Sequence, residues 1–121
     1  DSYHVYFKDF KFEKSQRPVV LSEFGGISLK IKDHSYAKHK HYGYGKCETS
    51  EQLTDAIVAL YEKEVVSKIK DGLCAAVYTQ AFDVEDETNG LYTYDRAVCK
   101  VDGEKMRQLA DRMAKEMEAC K

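Results

Sequence analysis

Apolar and polar residues fall in blocks along this chain, and the blocks carry two different periods. Residues 3–7, Tyr-His-Val-Tyr-Phe, alternate loosely and predict a strand. Phe10 and Phe12 follow among lysines and read as loop. Arg17-Pro18 marks a boundary, because proline disfavours helical backbone in the residue before it. Residues 19–24, Val-Val-Leu-Ser-Glu-Phe, form a short apolar run with a polar end, closed by Gly25-Gly26. That pattern predicts a buried parallel strand whose C-terminal end enters a loop.

The period then changes. Ser50 is a good N-cap with Glu51 in the first turn, and Leu53, Ala56, Ile57, Leu60, Tyr61, Val65 and Ile69 follow at helical spacing. The helix is expected over 50–70, with Asp71-Gly72 as its stop. Residues 73–78, Leu-Cys-Ala-Ala-Val-Tyr, read as a second buried strand that turns polar at Thr79-Gln80. An acidic loop over 83–90 follows, then a short strand or turn within 91–99. A last helix over 103–120 places Met106, Leu109, Ala110, Met113 and Met117 on one face. Strand, strand, helix, strand, helix predicts an α/β fold with a parallel sheet. Two or three such strands cannot cover both faces of a sheet, and the chain starts inside a strand-like segment. It is therefore expected to be a piece of something larger.

The segment 27–47 is long for a connection, and it holds His34, Tyr36, His39, His41, Tyr42 and Tyr44 with Gly43 and Gly45. Connections of this length are usually functional or disordered, and the aromatic content argues against disorder.

Composition narrows the function classes. The 121 residues fit one domain. Nineteen basic against 21 acidic residues leave a net charge of −2, so no field favours nucleic acid or a membrane surface. No apolar run approaches a membrane span, and Asp1-Ser2-Tyr3-His4 is unlike a signal peptide. A hydrophobic share of 43% with 33% charged residues is ordinary globular composition. Cys47, Cys74, Cys99 and Cys120 show no C-x-x-C spacing, and spacing does not choose among their three possible pairings. Cys74 and Cys120 sit at apolar positions, so free buried thiols in a reducing, cytoplasmic compartment are the expectation.

Parallel α/β sheets put their chemistry at the C-terminal ends of strands. Two ends are polar here, Ser22-Glu23 and Tyr78-Thr79-Gln80. A carboxylate ending a buried run is costly unless paired or used, so Glu23 has the strongest local case. The alternative for Glu23 is a strand-end ion pair. No metal or cofactor is expected. His39-Lys40-His41 with His34 and Cys47 is a poor zinc pattern. The acidic loop imitates the opening of a calcium loop, but its twelfth position is Arg96. No G-K-[ST] follows Gly25-Gly26, so there is no phosphate loop.

Residues 17–26, Arg-Pro-Val-Val-Leu-Ser-Glu-Phe-Gly-Gly, resemble the seventh barrel strand of glycoside hydrolase family 2, which includes β-galactosidases, β-glucuronidases and β-mannosidases. His4-Val5-Tyr6 is similar to that family's sixth-strand end, and Tyr78-Thr79-Gln80 to its eighth. Residues 90–96, Gly-Leu-Tyr-Thr-Tyr-Asp-Arg, resemble its G-x-x-T-x-D-R closing segment. The resemblance covers nearly the whole chain. It implies a partial (β/α)8 TIM barrel over 1–121, about strands 6–8 with helices 7 and 8. It implies retaining hydrolysis of a β-glycosidic bond, with Glu23 as catalytic nucleophile and His4, Tyr6, Tyr78 and Gln80 binding substrate. The family's acid/base glutamate follows an asparagine on a strand this chain does not contain, and Glu85 and Glu87 lie in the acidic loop instead. Glucuronidases carry an Asn-x-Lys pair where this chain has Glu87-Thr88-Asn89, so a neutral, galactosidase-like sugar is preferred. The implied partners are a carbohydrate substrate and the remainder of the parent chain. Open sheet edges and partly exposed Val19, Leu21, Ala75 and Val77 predict a homo-oligomer of the isolated piece. The rival readings are a non-enzymatic carbohydrate-binding α/β module, whose tyrosine-rich loop stacks sugars, and a cytosolic interaction domain.

Overall fold

The computed structural model describes residues 1–38 and 45–121. Its three strands, β1 (Ser2–Val5), β2 (Val19–Gly25) and β3 (Leu73–Thr79), form one parallel sheet in the order β1-β2-β3. Helix α1 (Ser50–Tyr61) runs through a π-helical stretch, Glu62–Val66, into the short α2 (Ser67–Ile69). Helix α3 (Gly103–Ala119) follows β3.

The π-helical stretch has a cause in the sequence. From Ile57 the apolar positions recur every four residues, at Tyr61, Val65 and Ile69, which lags behind the 3.6-residue turn of an α-helix. One wider turn keeps Val65 and Ile69 on the sheet side, where both are buried. The cap of α1 is Thr49 rather than Ser50. Its hydroxyl accepts the Gln52 amide at 3.1 Å, while Gln52 Oε1 accepts the Glu48 amide at 2.9 Å. Asp102 caps α3 by accepting the Glu104 and Lys105 amides.

The expected partial (β/α)8 barrel is corrected by this architecture, which is a small α/β domain. A barrel unit places a helix after every strand. Residues 6–18 join β1 to β2 without one, and instead fold Phe10 and Phe12 back onto Tyr3. After β3 the chain does not lead into a further strand. It doubles back through isolated bridges, Phe82 to Tyr92 and Tyr92 to Cys99, before α3.

One face of the sheet packs on the helices. Phe10, Val19, Leu21, Phe24, Val65 and Leu73 form one core cluster, and Ile27, Leu29, Leu53 and Ile57 form a second. Val19 and Leu21 are therefore buried, not partly exposed as expected, whereas Ala75 and Val77 are exposed. Cys74 and Cys120, expected to be buried, are exposed, and all four cysteines are free. His39, His41, Tyr42, Gly43 and Tyr44 of the tyrosine-rich loop lie outside the described residues. Among the described residues, no helix is long and apolar enough to cross a membrane.

Candidate functional site

Strand β2 carries one residue more than either neighbour between Leu21 and Phe24. Against β1, Tyr3 pairs with Leu21 and His4 with Glu23. Against β3, Leu21 pairs with Ala76 and Phe24 with Tyr78. Both registers place a β-bulge there, so Leu21 and Phe24 face the helices although three positions separate them. The Ser22 hydroxyl donates to the Tyr3 carbonyl at 3.0 Å and lies 2.6 Å from the Ser2 hydroxyl, which pins the bulge to β1.

The bulge aims Glu23 at the helix-free face. His4 is on that face, because its neighbours Tyr3 and Val5 pack into the core. His4 Nδ1 lies 3.0 Å from Glu23 Oε2. The Tyr6 hydroxyl donates to Glu23 Oε1. Burial, then the carboxylate beside it, pushes the Tyr6 phenol up to about 12, so it stays protonated and remains a donor. The Thr79 hydroxyl also bonds Tyr6, which links all three strand ends. Glu23 keeps 37% of its side chain exposed, so the carboxylate is positioned but not sealed.

Gln80 reaches from the end of β3 to the acidic loop. Its Nε2 donates to Glu87 Oε2 at 2.8 Å and to Asn89 Oδ1 at 3.0 Å. Glu87 is close enough to act electrostatically on Tyr6. Gln80 thus ties a second carboxylate to the neighbourhood of Glu23, whereas the sequence places Glu87 only in a solvated loop.

Tyr78 is not brought to Glu23. Its ring sits on the helix side, edge-on to Phe24 at 5.6 Å and stacked on Tyr61 at 5.9 Å, with its hydroxyl buried and unpartnered. Gly25, at φ +116°, makes room for it: a Cβ there would lie 2.7 Å from both the Tyr78 ring and the Thr79 carbonyl oxygen. Of the four substrate-binding residues expected, His4 and Tyr6 meet Glu23, Gln80 lies one step away through Glu87, and Tyr78 is core.

The G-x-x-T-x-D-R segment is a tight turn. Buried Thr93 donates its hydroxyl to Asp95 Oδ1 at 2.6 Å, and the Ala97 amide donates to the same oxygen at 3.0 Å. Asp95 Oδ2 meets His34 Nδ1 at 2.7 Å, a pair that the linear spacing of the two residues does not show. Lys100, at the centre of a second network, is fully buried. Its Nζ bonds Asp83 Oδ1 at 2.7 Å, the Leu29 carbonyl at 2.7 Å and the Thr88 carbonyl at 2.9 Å. Among the described residues, no group of three or more His, Cys, Asp or Glu side chains is placed to hold a metal.

No family model matches this chain, and no curated protein matches it.

Proposed function

We propose that this chain supplies the nucleophile of a retaining β-glycosidase, galactosidase-like in its preference, and that Glu23 is the attacking carboxylate. The observation that carries the reading is the Glu23 cluster itself. A bulge turns the carboxylate out of the core at the C-terminal end of the middle parallel strand, and Tyr6 and His4 hold its two oxygens. In this reaction one carboxylate oxygen attacks the anomeric carbon, and the aglycone oxygen leaves with a proton from a second acid. The glycosyl ester formed is then hydrolysed by water. Tyr6 and His4 orient the carboxylate for attack and take up the charge left when the ester breaks. The second acid belongs to the remainder of a longer parent protein, so the chain by itself is expected to show no turnover on ordinary β-galactosides.

A reagent that needs no acid tests the nucleophile directly. A fluorinated β-galactoside with a dinitrophenyl leaving group traps the glycosyl ester, because the leaving group departs without protonation. The expected result is a mass increase of one fluorogalactosyl unit, mapped to Glu23 and absent in Glu23→Gln. Saturable galactoside binding with no adduct would instead favour the non-enzymatic module, which is kept as the second reading because Tyr36, Tyr92 and Tyr94 are exposed.

A further inference from the structure

The loops leaving the C-terminal ends of β2 and β3 meet at a second cluster, separate from Glu23. Asp95 is held by three donors: the Thr93 hydroxyl, the Ala97 amide and His34. Those bonds pull its carboxyl down to about 2, so it is ionised at neutral pH and can only accept. His34 meets that carboxylate through Nδ1, which leaves its Nε2 edge directed away from Asp95. Both side chains are open to solvent, His34 at 36% and Asp95 at 43%.

Beside this pair, the Tyr36 and Tyr94 rings sit 5.2 Å apart and inclined at 58°. Tyr36 is 58% exposed and Tyr94 39%. The Arg96 guanidinium bonds the Tyr94 carbonyl and lies over the Phe82 ring at 4.6 Å and, more loosely, the Tyr94 ring at 6.0 Å. Tying two turns together would require only the one Asp95–His34 bond. What the structure adds is a fixed imidazole edge beside an angled aromatic surface. A sugar ring has that complement: an apolar face of C–H groups that stacks on an aromatic ring, and hydroxyls around its rim that donate hydrogen bonds.

We propose that Tyr36, Tyr94, His34 and Asp95 form a saccharide-binding subsite distinct from the Glu23 cluster, with one sugar ring on the tyrosines and a hydroxyl hydrogen-bonded at His34 Nε2. The choice of a saccharide rests on the glycosidase reading above. The geometry of the subsite does not.

The test uses the whole chain, titrated with lactose and observed by the side-chain resonances of His34, Tyr36 and Tyr94. Saturable shifts at all three are expected, with the tyrosine protons moving as a stacked ring requires. Tyr36→Ala should weaken lactose binding at least tenfold, and His34→Ala several-fold. Neither change should alter trapping at Glu23 by the fluorinated galactoside. Shifts that never saturate, or an affinity unchanged by Tyr36→Ala, overturn the subsite. Trapping at Glu23 with silent tyrosine and histidine resonances overturns the subsite and leaves the nucleophile standing. Saturable shifts without trapping support the subsite and overturn the nucleophile.

Discussion

Glu23 and Asp83 are both carboxylates at the same end of the same sheet, yet they are held in opposite ways. Asp83 is 1% exposed, and its partner Lys100 is wholly buried. Every bond of that pair stays inside the molecule, and the pair fastens Leu29, Thr88 and Gly90 to one another. Burial pushes the Asp83 carboxyl up and the Lys100 ammonium down, while the contact between them restores part of each. Glu23 has equally definite partners, one on each oxygen, but it remains 37% exposed. A charge with all its bonds internal holds segments together. A charge that is held by its partners and still partly open can meet a reactant.

Breaking the Lys100 pair should give the largest effect. Lys100→Ala leaves Asp83 buried and unpaired, which costs about 3–5 kcal/mol. The measurement is urea denaturation, with Glu23→Gln as the contrasting variant; a loss near zero for Lys100→Ala would erase the distinction between the two carboxylates. Gly25→Ala comes next, because it combines a positive φ with a Cβ that would press on Tyr78 and the Thr79 carbonyl. About 1–3 kcal/mol of stability should be lost. Its near-UV circular dichroism should change as well, because the tyrosine packed behind the strand must shift.

Tyr6→Phe sharpens the comparison from the other side. Removing one donor to a half-exposed carboxylate should cost only ~0.5–1.5 kcal/mol of stability. Trapping at Glu23 by the fluorinated galactoside should slow much more, by at least tenfold, and equal losses in both measurements would mean that Tyr6 merely supports the strand. The smallest effect belongs to Asp95. Its folded pKa is depressed to about 2, so its contribution is present above the unfolded value of about 3.9 and fades as pH falls through about 2. Asp95→Asn should remove that part of the acid transition, lowering stability slightly at neutral pH and leaving it unchanged below about pH 2, as followed by carboxyl NMR titration and thermal melts at both pH values.

The three strands and the helical segments were legible because each has an apolar run or stripe that only one period explains. The barrel expectation failed for a reason visible in residues 6–18. They lack helical spacing, and Phe10 packs into the core against Tyr3 with Phe12 against its ring. The resemblance supplied a connectivity that this stretch does not fold into. Glu23 could be picked out as a polar residue ending an apolar strand, and His4 and Tyr6 followed from the same likeness. Tyr78 was misplaced because its hydroxyl reads as polar, whereas in the strand it alternates with Val77 and shares the inner face with Ala76. Lys100 gave no signal at all. A lysine between Cys99 and Val101 reads as a surface residue, and only the folded loops bring three acceptors to its ammonium. The His34–Asp95 pair was equally silent, since its partners stand 61 positions apart.

The extra residue near Ser22 makes the inside-outside code of β2 change phase partway along the strand. Before it, odd-numbered side chains point to the helices; after it, even-numbered ones do. Pairing β2 with its neighbours without that bulge would therefore act like a reading-frame error written in space rather than in codons. The chain would keep its composition and its apolar run, but Glu23 and Phe24 would each be assigned to the other's face. A single lost bulge would deliver a carboxylate to the core and an aromatic ring to the open side, with no substitution anywhere.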